Sequence, residues 1–120
     1  MSVVEALEYD VGALKDQAAQ LRGRIIEMCH ASKSAHLGSS LSCVDVLTAA
    51  YWHVLNVDPS RPQDPDRDRF ILSKGHAAKA LYVALARRGF FDPDLLQTLN
   101  DNGGQLPEHP ALQCVPGVEA

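Results

Sequence analysis

Three histidines in short loops of small and turn-forming residues give this 120-residue chain its chemical signal. They are His36, His76 and His109, each beside the end of a predicted helix or strand. Imidazole is the side chain best suited to move a proton or to hold a polar substrate near neutral pH. A single loop histidine is most often a solvated surface residue. Three of them in this setting predict a common cleft that all three could face.

The residues around His76 predict a strand, a tight turn and a helix. The apolar run Phe70, Ile71, Leu72 is typical of a buried strand, and residues 77–88 follow the spacing of a helix that ends at Gly89. Gly75 lies in the turn between them. Such a unit presents backbone N–H groups at the carboxyl end of a strand, where open α/β sheets bind phosphates.

The elements that must position these loops are mainly helices. Asp10 can cap a helix that runs to about His30, with His30 as a partner of the helix dipole. Segment 31–41 is rich in serine and glycine and predicts a loop, and a second helix should start at Ser42 with Asp45 completing a capping box. That helix should turn Val44, Leu47, Tyr51 and Leu55 inward and pack Trp52 and His53.

Two further segments complete this description. Residues 56–68 contain three prolines and alternating charges, and they predict a solvated surface loop. Asp92 before Pro93 predicts a short helix over 93–100. With one strand and several helices, the chain is predicted to be the front of an α/β domain whose remaining strands lie elsewhere.

Composition excludes several classes of protein. The hydrophobic fraction of 46% and the charged fraction of 22% are those of a globular domain, and a net charge of -4 argues against a nucleic-acid partner. No apolar run is long enough for a membrane, and the acidic N-terminus lacks a signal-peptide core, so we expect a cytoplasmic protein. Three cysteines without a CxxC pair indicate reduced thiols. The spacing of Cys29, His30, His36 and Cys43 matches no common zinc pattern, so no metal site is expected in the chain.

Several blocks of sequence resemble the N-terminal part of transketolase, in the same order and with similar spacing. The blocks are residues 32–42, residues 68–78 (Asp-Arg-Phe-Ile-Leu-Ser-Lys-Gly-His-Ala-Ala), Glu108-His109-Pro110 and Pro116-Gly117-Val118-Glu119. Lys74 before Gly75 is most similar to transketolases that are split into separate N- and C-terminal subunits. Together these blocks are specific, whereas each alone is not.

The resemblance implies a fold, a reaction and partners. The fold is a doubly wound α/β domain that binds the diphosphate of thiamine diphosphate, and residues 1–120 would be its incomplete N-terminal part, mostly helical. The reaction moves a two-carbon ketol unit from a ketose, often a sugar phosphate, to an aldose. A C-terminal transketolase subunit or domain would complete the site in a homo- or hetero-oligomer. The chain alone is expected to be inactive.

The resemblance also assigns roles to individual residues. His36 would hydrogen-bond hydroxyls of the donor sugar, and His109 would contact the donor's terminal hydroxyl. His76, with Gly75 beside it, would lie near both the cofactor diphosphate and the substrate. The Mg²⁺ or other divalent ion that bridges the diphosphate would be bound by ligands outside this chain.

Three positions depart from the family pattern, and two alternatives follow. Leu37 replaces a usual proline, as in deoxyxylulose phosphate synthases, although the Ser-Lys-Gly-His block favours transketolase. Glu108 replaces a usual glycine and places a bulky negative side chain beside His109. This side chain disfavours the usual sugar phosphates as substrates. Lys33 replaces a small residue and is interpreted as a surface lysine. The alternatives are a deoxyxylulose phosphate synthase-like thiamine enzyme and a truncated, non-catalytic interaction module.

Overall fold

The computed structural model describes residues 10–33, 36–99, 106–107, 110 and 113–120. This part of the chain is helical and contains no strand. None of its helices is long and apolar enough to cross a membrane. The elements are α1 (Val11–Ser32), α2 (Leu37–Ser42), α3 (Val44–Ala49) with a π-helical continuation (Ala50–Val54), α4 (Ala78–Arg88), and two 3-10 helices (Gly75–Ala77 and Pro93–Thr98).

Helix α1 forms as the sequence predicts. The Asp10 carboxylate accepts a hydrogen bond from the Gly12 N–H at 3.0 Å, which satisfies one of the free donors at the helix start. The helix ends at Ser32, where Lys33 adopts a left-handed conformation with φ 53°. His30 lies in the last turn and is exposed. The buried face is an apolar stripe that includes Ala18, Leu21, Ile25 and Met28.

Helix α4 lies at the centre of the described part of the chain. Residues 78–86 are all buried, because α1, α2, α3 and the second 3-10 helix pack around this helix. Even Lys79 is only 1% exposed. Gly89 ends the helix with φ 105°, a conformation that glycine adopts without strain. The predicted helix and its glycine stop are both confirmed.

The predicted start of a second helix at Ser42 is wrong. The chain is already helical from Leu37, and it changes direction at Cys43 to begin α3. Ser42 makes no cap; its hydroxyl donates to the Ser39 carbonyl at 3.0 Å. The predicted loop becomes α2 because this segment packs against α1, α4 and the first 3-10 helix, and such packing overrides a weak local preference. Val44, Leu47 and Tyr51 face inward as predicted.

The end of α3 widens into a π-helical turn. The Leu55 N–H donates to the Ala50 carbonyl at 2.8 Å, five residues earlier in the chain. That register leaves the Tyr51 carbonyl free to accept a hydrogen bond from Arg88 Nε at 2.8 Å, which ties this turn to the end of α4. Trp52 is half-buried against the core, as predicted.

The strand predicted at residues 70–72 is not formed in the described structure. Phe70 packs against Tyr51, with ring centroids 5.7 Å apart, but Ile71 is 61% exposed. A strand requires a neighbouring strand for its backbone hydrogen bonds, and the described residues provide none. The apolar run is therefore an irregular connection, from which Phe70 and Leu72 pack against the core.

The proline-rich segment is a surface connection of consecutive turns, as predicted, with one exception. The Asp58 carboxylate accepts hydrogen bonds from the Ser60 N–H and hydroxyl. A side chain of the loop thus pairs with a backbone N–H group of the same loop. Arg67, however, does not belong to a solvated face. Its guanidinium donates two hydrogen bonds to the Glu119 carboxylate, at 2.8 and 2.7 Å, and both side chains are largely buried.

The second 3-10 helix starts where the sequence predicts. The Asp92 carboxylate accepts a hydrogen bond from the Asp94 N–H at 2.9 Å, and Pro93 occupies the first turn. The helix is of the 3-10 type and ends at Thr98 rather than continuing as an α-helix. Leu96 anchors it in the core.

Candidate functional site

The structure brings two of the three predicted histidines together. The rings of His36 and His76 lie with centroids 4.6 Å apart and their planes inclined by 55°. Both side chains are exposed, so they can reach a ligand. Residues that are 40 positions apart in sequence meet because α2 packs against the first 3-10 helix.

His36 occupies an unusual backbone conformation at the start of α2. Its φ of 70° and ψ of 27° lie in the left-handed region, which few residues other than glycine adopt. It is the N-cap residue of α2, and its carbonyl accepts the first helical hydrogen bond, from Ser40 N–H at 3.1 Å. Non-glycine residues in this region concentrate at functional sites, because surrounding structure must hold them there.

His76 lies in a short turn that leads into the buried helix α4. It lies in the 3-10 turn Gly75–Ala77, which the Ala77 N–H closes by donating to the Lys74 carbonyl at 2.9 Å. The turn leads directly into α4, whose buried residues fix the backbone of His76 in place. Rigid support is what a histidine needs in order to hold a substrate in one orientation.

Lys74 lies two residues before His76 in the sequence, although the sequence does not predict it as a site residue. Its Nζ donates to the Ser42 hydroxyl at 2.8 Å, across the C-terminal end of α2. Burial raises the pKa of the neighbouring Cys43 thiol, and the positive charge of Lys74 opposes that rise. A lysine directly before a Gly-His turn is the one sequence signal that points to this position.

Other predicted residues take different places. His109 and Glu108 lie outside the described residues, so the role of His109 stays a prediction. Lys33 is exposed, as expected of a surface lysine. Cys29, Cys43 and Cys114 are free thiols. Within the described ranges, no group of three histidine, cysteine, aspartate or glutamate residues could hold a metal ion.

A buried hydroxyl lies on the same short helix as His36. Ser40, on α2, is fully buried, and its Oγ has no hydrogen-bond partner among the described residues. Buried polar groups are nearly always paired, so an unpaired one is a local cost of stability. The unpaired Ser40 hydroxyl and the left-handed backbone of His36 both cost local stability, so packing against neighbouring elements must stabilise α2.

Comparisons with known proteins identify the family of this chain. Residues 14–120 match the family model described as "Transketolase, thiamine diphosphate binding domain". An apulose-4-phosphate transketolase subunit from Phocaeicola vulgatus is 41% identical over 109 residues, which cover 91% of this chain and 38% of that protein.

Two further relatives extend this similarity. The 6-deoxy-6-sulfo-D-fructose transketolase subunit SqwG of Clostridium sp. (strain MSTE9) is 42% identical over 106 residues, covering 88% of this chain and 38% of that protein. The transketolase of Homo sapiens is 37% identical over 98 residues, covering 82% of this chain and 16% of that protein. The chain therefore spans about two fifths of the length of the two bacterial subunits.

Proposed function

Because this chain belongs to the thiamine diphosphate-binding domain family of transketolase, we propose that it is the N-terminal part of a transketolase subunit. The complete protein would transfer a two-carbon ketol unit from a ketose or ketose phosphate to an aldose. The observation that carries this proposal is the contact between His36 and His76, which places two exposed imidazoles on one surface of a chain from this family.

The side chains at this surface fit a diphosphate group. Gly75 and His76 lie in the turn before α4, and the Lys74 ammonium is held nearby. Imidazole N–H, backbone N–H and ammonium groups are suitable donors to phosphoryl oxygens. We infer that Gly75 and His76 hold the cofactor diphosphate. The cofactor, when bound, supplies the electron sink for cleavage of the carbon–carbon bond.

His36 and His76 are suited to hold a polyhydroxylated substrate. A neutral imidazole donates through one nitrogen and accepts through the other, so each ring can pair with a sugar hydroxyl in either direction. Hydrogen bonds of this kind are selective, since an unmatched buried partner costs on the order of 1–3 kcal/mol. We infer that His36 binds donor hydroxyls, that His76 contacts both donor and cofactor, and that His109 binds the donor's terminal hydroxyl.

Further parts of the protein would complete the domain and the site. We infer that the described helices belong to a doubly wound α/β domain, and that residues 1–120 are the incomplete N-terminal part of that domain. The two relatives named as subunits support a partner that provides the C-terminal transketolase part, in a homo- or hetero-oligomer. We infer that a divalent ion such as Mg²⁺ has its ligands outside this chain. The three free cysteines support a cytoplasmic location.

The names of the relatives favour transketolase over the alternative of a deoxyxylulose phosphate synthase-like enzyme. The alternative of a non-catalytic module differs in its predicted activity. A ketol-transfer assay on the complete protein with its partner distinguishes a transketolase from a non-catalytic module, because only the enzyme produces the new ketose.

The same assay tests the histidine assignments. We expect His36→Ala, His76→Ala and His109→Ala each to lower kcat/KM by about 10- to 100-fold, the loss of a hydrogen bond to a bound substrate or charged group. His30→Ala is the matched control, since His30 is exposed at the end of α1 and should leave turnover unchanged. Absence of ketol transfer by the unmodified assembly would contradict the function. Full activity in all three variants would contradict the site.

A further inference from the structure

We propose that Lys74, held in place by Ser42, is an oxyanion-binding element of this site and that its ligand is a phosphoryl group. The identification of the ligand rests on the proposed function. Such a phosphoryl group has two sources, the diphosphate of the cofactor and the phosphate of a sugar substrate. The position of the cation is an observation of the structure and does not depend on the proposed activity.

The first support is the way in which Lys74 and His76 lie along α2. The Lys74 ammonium bonds Ser42 at the C-terminal end of this helix, while the His76 ring contacts His36 at its N-terminal end. A helix of six residues is about 9 Å long. A ligand can therefore present hydroxyls to the two imidazoles and an anionic group to the ammonium, several ångströms apart.

The second support is that the ammonium is oriented by a hydroxyl instead of a carboxylate. The Ser42 hydroxyl donates its own proton to the Ser39 carbonyl at 3.0 Å and accepts from Lys74 at 2.8 Å. An ammonium has three donors, and Ser42 takes one of them. Among the described residues no carboxylate lies within 4.0 Å of Lys74, so none of these residues forms an ion pair with it.

Exposure and pre-orientation together favour binding of an anion. The Lys74 side chain is exposed, so an incoming phosphoryl group can reach it. A free lysine loses considerable rotamer entropy when it binds a ligand, whereas Lys74 is already restrained by Ser42. Lysine acts on phosphate as a compact point charge, so either kind of phosphoryl group can pair with it.

The test compares Lys74→Met with Lys15→Met in the complete protein together with its partner. Methionine keeps most of the length of the side chain and removes its charge. Lys15 is also exposed, but it lies near the start of α1, roughly 26 Å along the helix axis from its end. Affinity for inorganic pyrophosphate is measured by calorimetry, and KM is measured for a phosphorylated donor and for the same donor without its phosphate.

We expect Lys74→Met to weaken pyrophosphate binding or to raise KM for the phosphorylated donor by about tenfold, while Lys15→Met changes neither. A change in pyrophosphate affinity assigns the cofactor diphosphate as the ligand. A change confined to the phosphorylated donor assigns the sugar phosphate. Equal values for both variants in all three measurements would overturn the proposal. If the unmodified assembly shows no ketol transfer, the proposed function fails by itself. A loss of pyrophosphate affinity in Lys74→Met alone would then still support a phosphoryl ligand at Lys74, and equal pyrophosphate affinity of the two variants would overturn it.

Discussion

At the scale of single residues, the site depends on a contact between two imidazoles that no local rule specifies. His36 is held with φ 70° at the start of α2, and His76 is fixed by the turn before α4. Each residue can be selected from the sequence because of its small and turn-forming neighbours. Their ring separation of 4.6 Å arises only when α2 packs beside that turn.

A double-mutant cycle measures whether this contact matters to catalysis. We expect the losses in kcat/KM from His36→Ala and His76→Ala to be non-additive by about 0.5–3 kcal/mol, because contacting residues that share a ligand are energetically coupled. The control cycle pairs His76→Ala with His30→Ala, which should be additive within about 0.5 kcal/mol. Equal coupling in the two cycles would show that the ring contact has no functional role.

At the scale of elements, the buried helix α4 contacts both the turn that carries His76 and residues 113–120. Its first turn follows directly on His76, and its C-terminal half packs against residues 113–120, whose Val115 and Val118 are buried. Gly117 makes this packing possible. It has φ 98°, and a Cβ built at that position would lie 2.8 Å from Leu85 Cδ2 and 3.0 Å from Phe90 Cδ1.

Two glycine substitutions should therefore have opposite effects on stability. Gly117→Ala combines a strained backbone with overpacking and should lower the free energy of unfolding by about 2 kcal/mol or more. Gly23→Ala, in α1, meets no atom within 4 Å and should raise it by about 0.5–1 kcal/mol. Chemical denaturation of the full-length protein compares the two. A stabilising Gly117→Ala would contradict the packing described here.

At the scale of the whole described structure, an ion pair connects the proline-rich connection to the end of the chain. Arg67 and Glu119 are 52 positions apart, and their two hydrogen bonds have the paired geometry that guanidinium and carboxylate groups favour. The Arg67 guanidinium lowers the pKa of Glu119, and burial only partly offsets this effect. Burial, together with the charge of Glu119, raises the pKa of the Tyr51 phenol.

The lowered pKa of Glu119 predicts how stability changes with acid. The pair contributes stability above the ordinary glutamate value of 4.5, and that contribution is lost as pH falls through the lower pKa of the folded state. Glu119→Gln should lower the Tm by a few degrees near pH 7 and have a smaller effect at pH values below the folded-state pKa. Thermal unfolding of both proteins across this range measures the difference. An equal loss of Tm at every pH would contradict the ion-pair interpretation.

Most of the helical structure and the choice of candidate site residues follow from local sequence alone. The cap at Asp10, the stop at Gly89 and the start at Asp92 were predictable because they depend on interactions within a few residues. The apolar face of α3 was predictable because helical periodicity is a property of the local sequence. His36 and His76 were identifiable because histidine recurs three times in short loops of small and turn-forming residues.

The remaining features depend on contacts between residues far apart in sequence, so local patterns do not predict them. Segment 37–42 is a helix because α1, α4 and the Gly75–Ala77 turn pack around it, and residues 70–72 are not a strand because no described strand pairs with them. In the sequence, Arg67 is one of several alternating charges in a predicted surface loop. In the folded structure it forms an ion pair with Glu119. Lys74 likewise becomes a candidate site residue only when Ser42, 32 positions earlier, accepts its hydrogen bond.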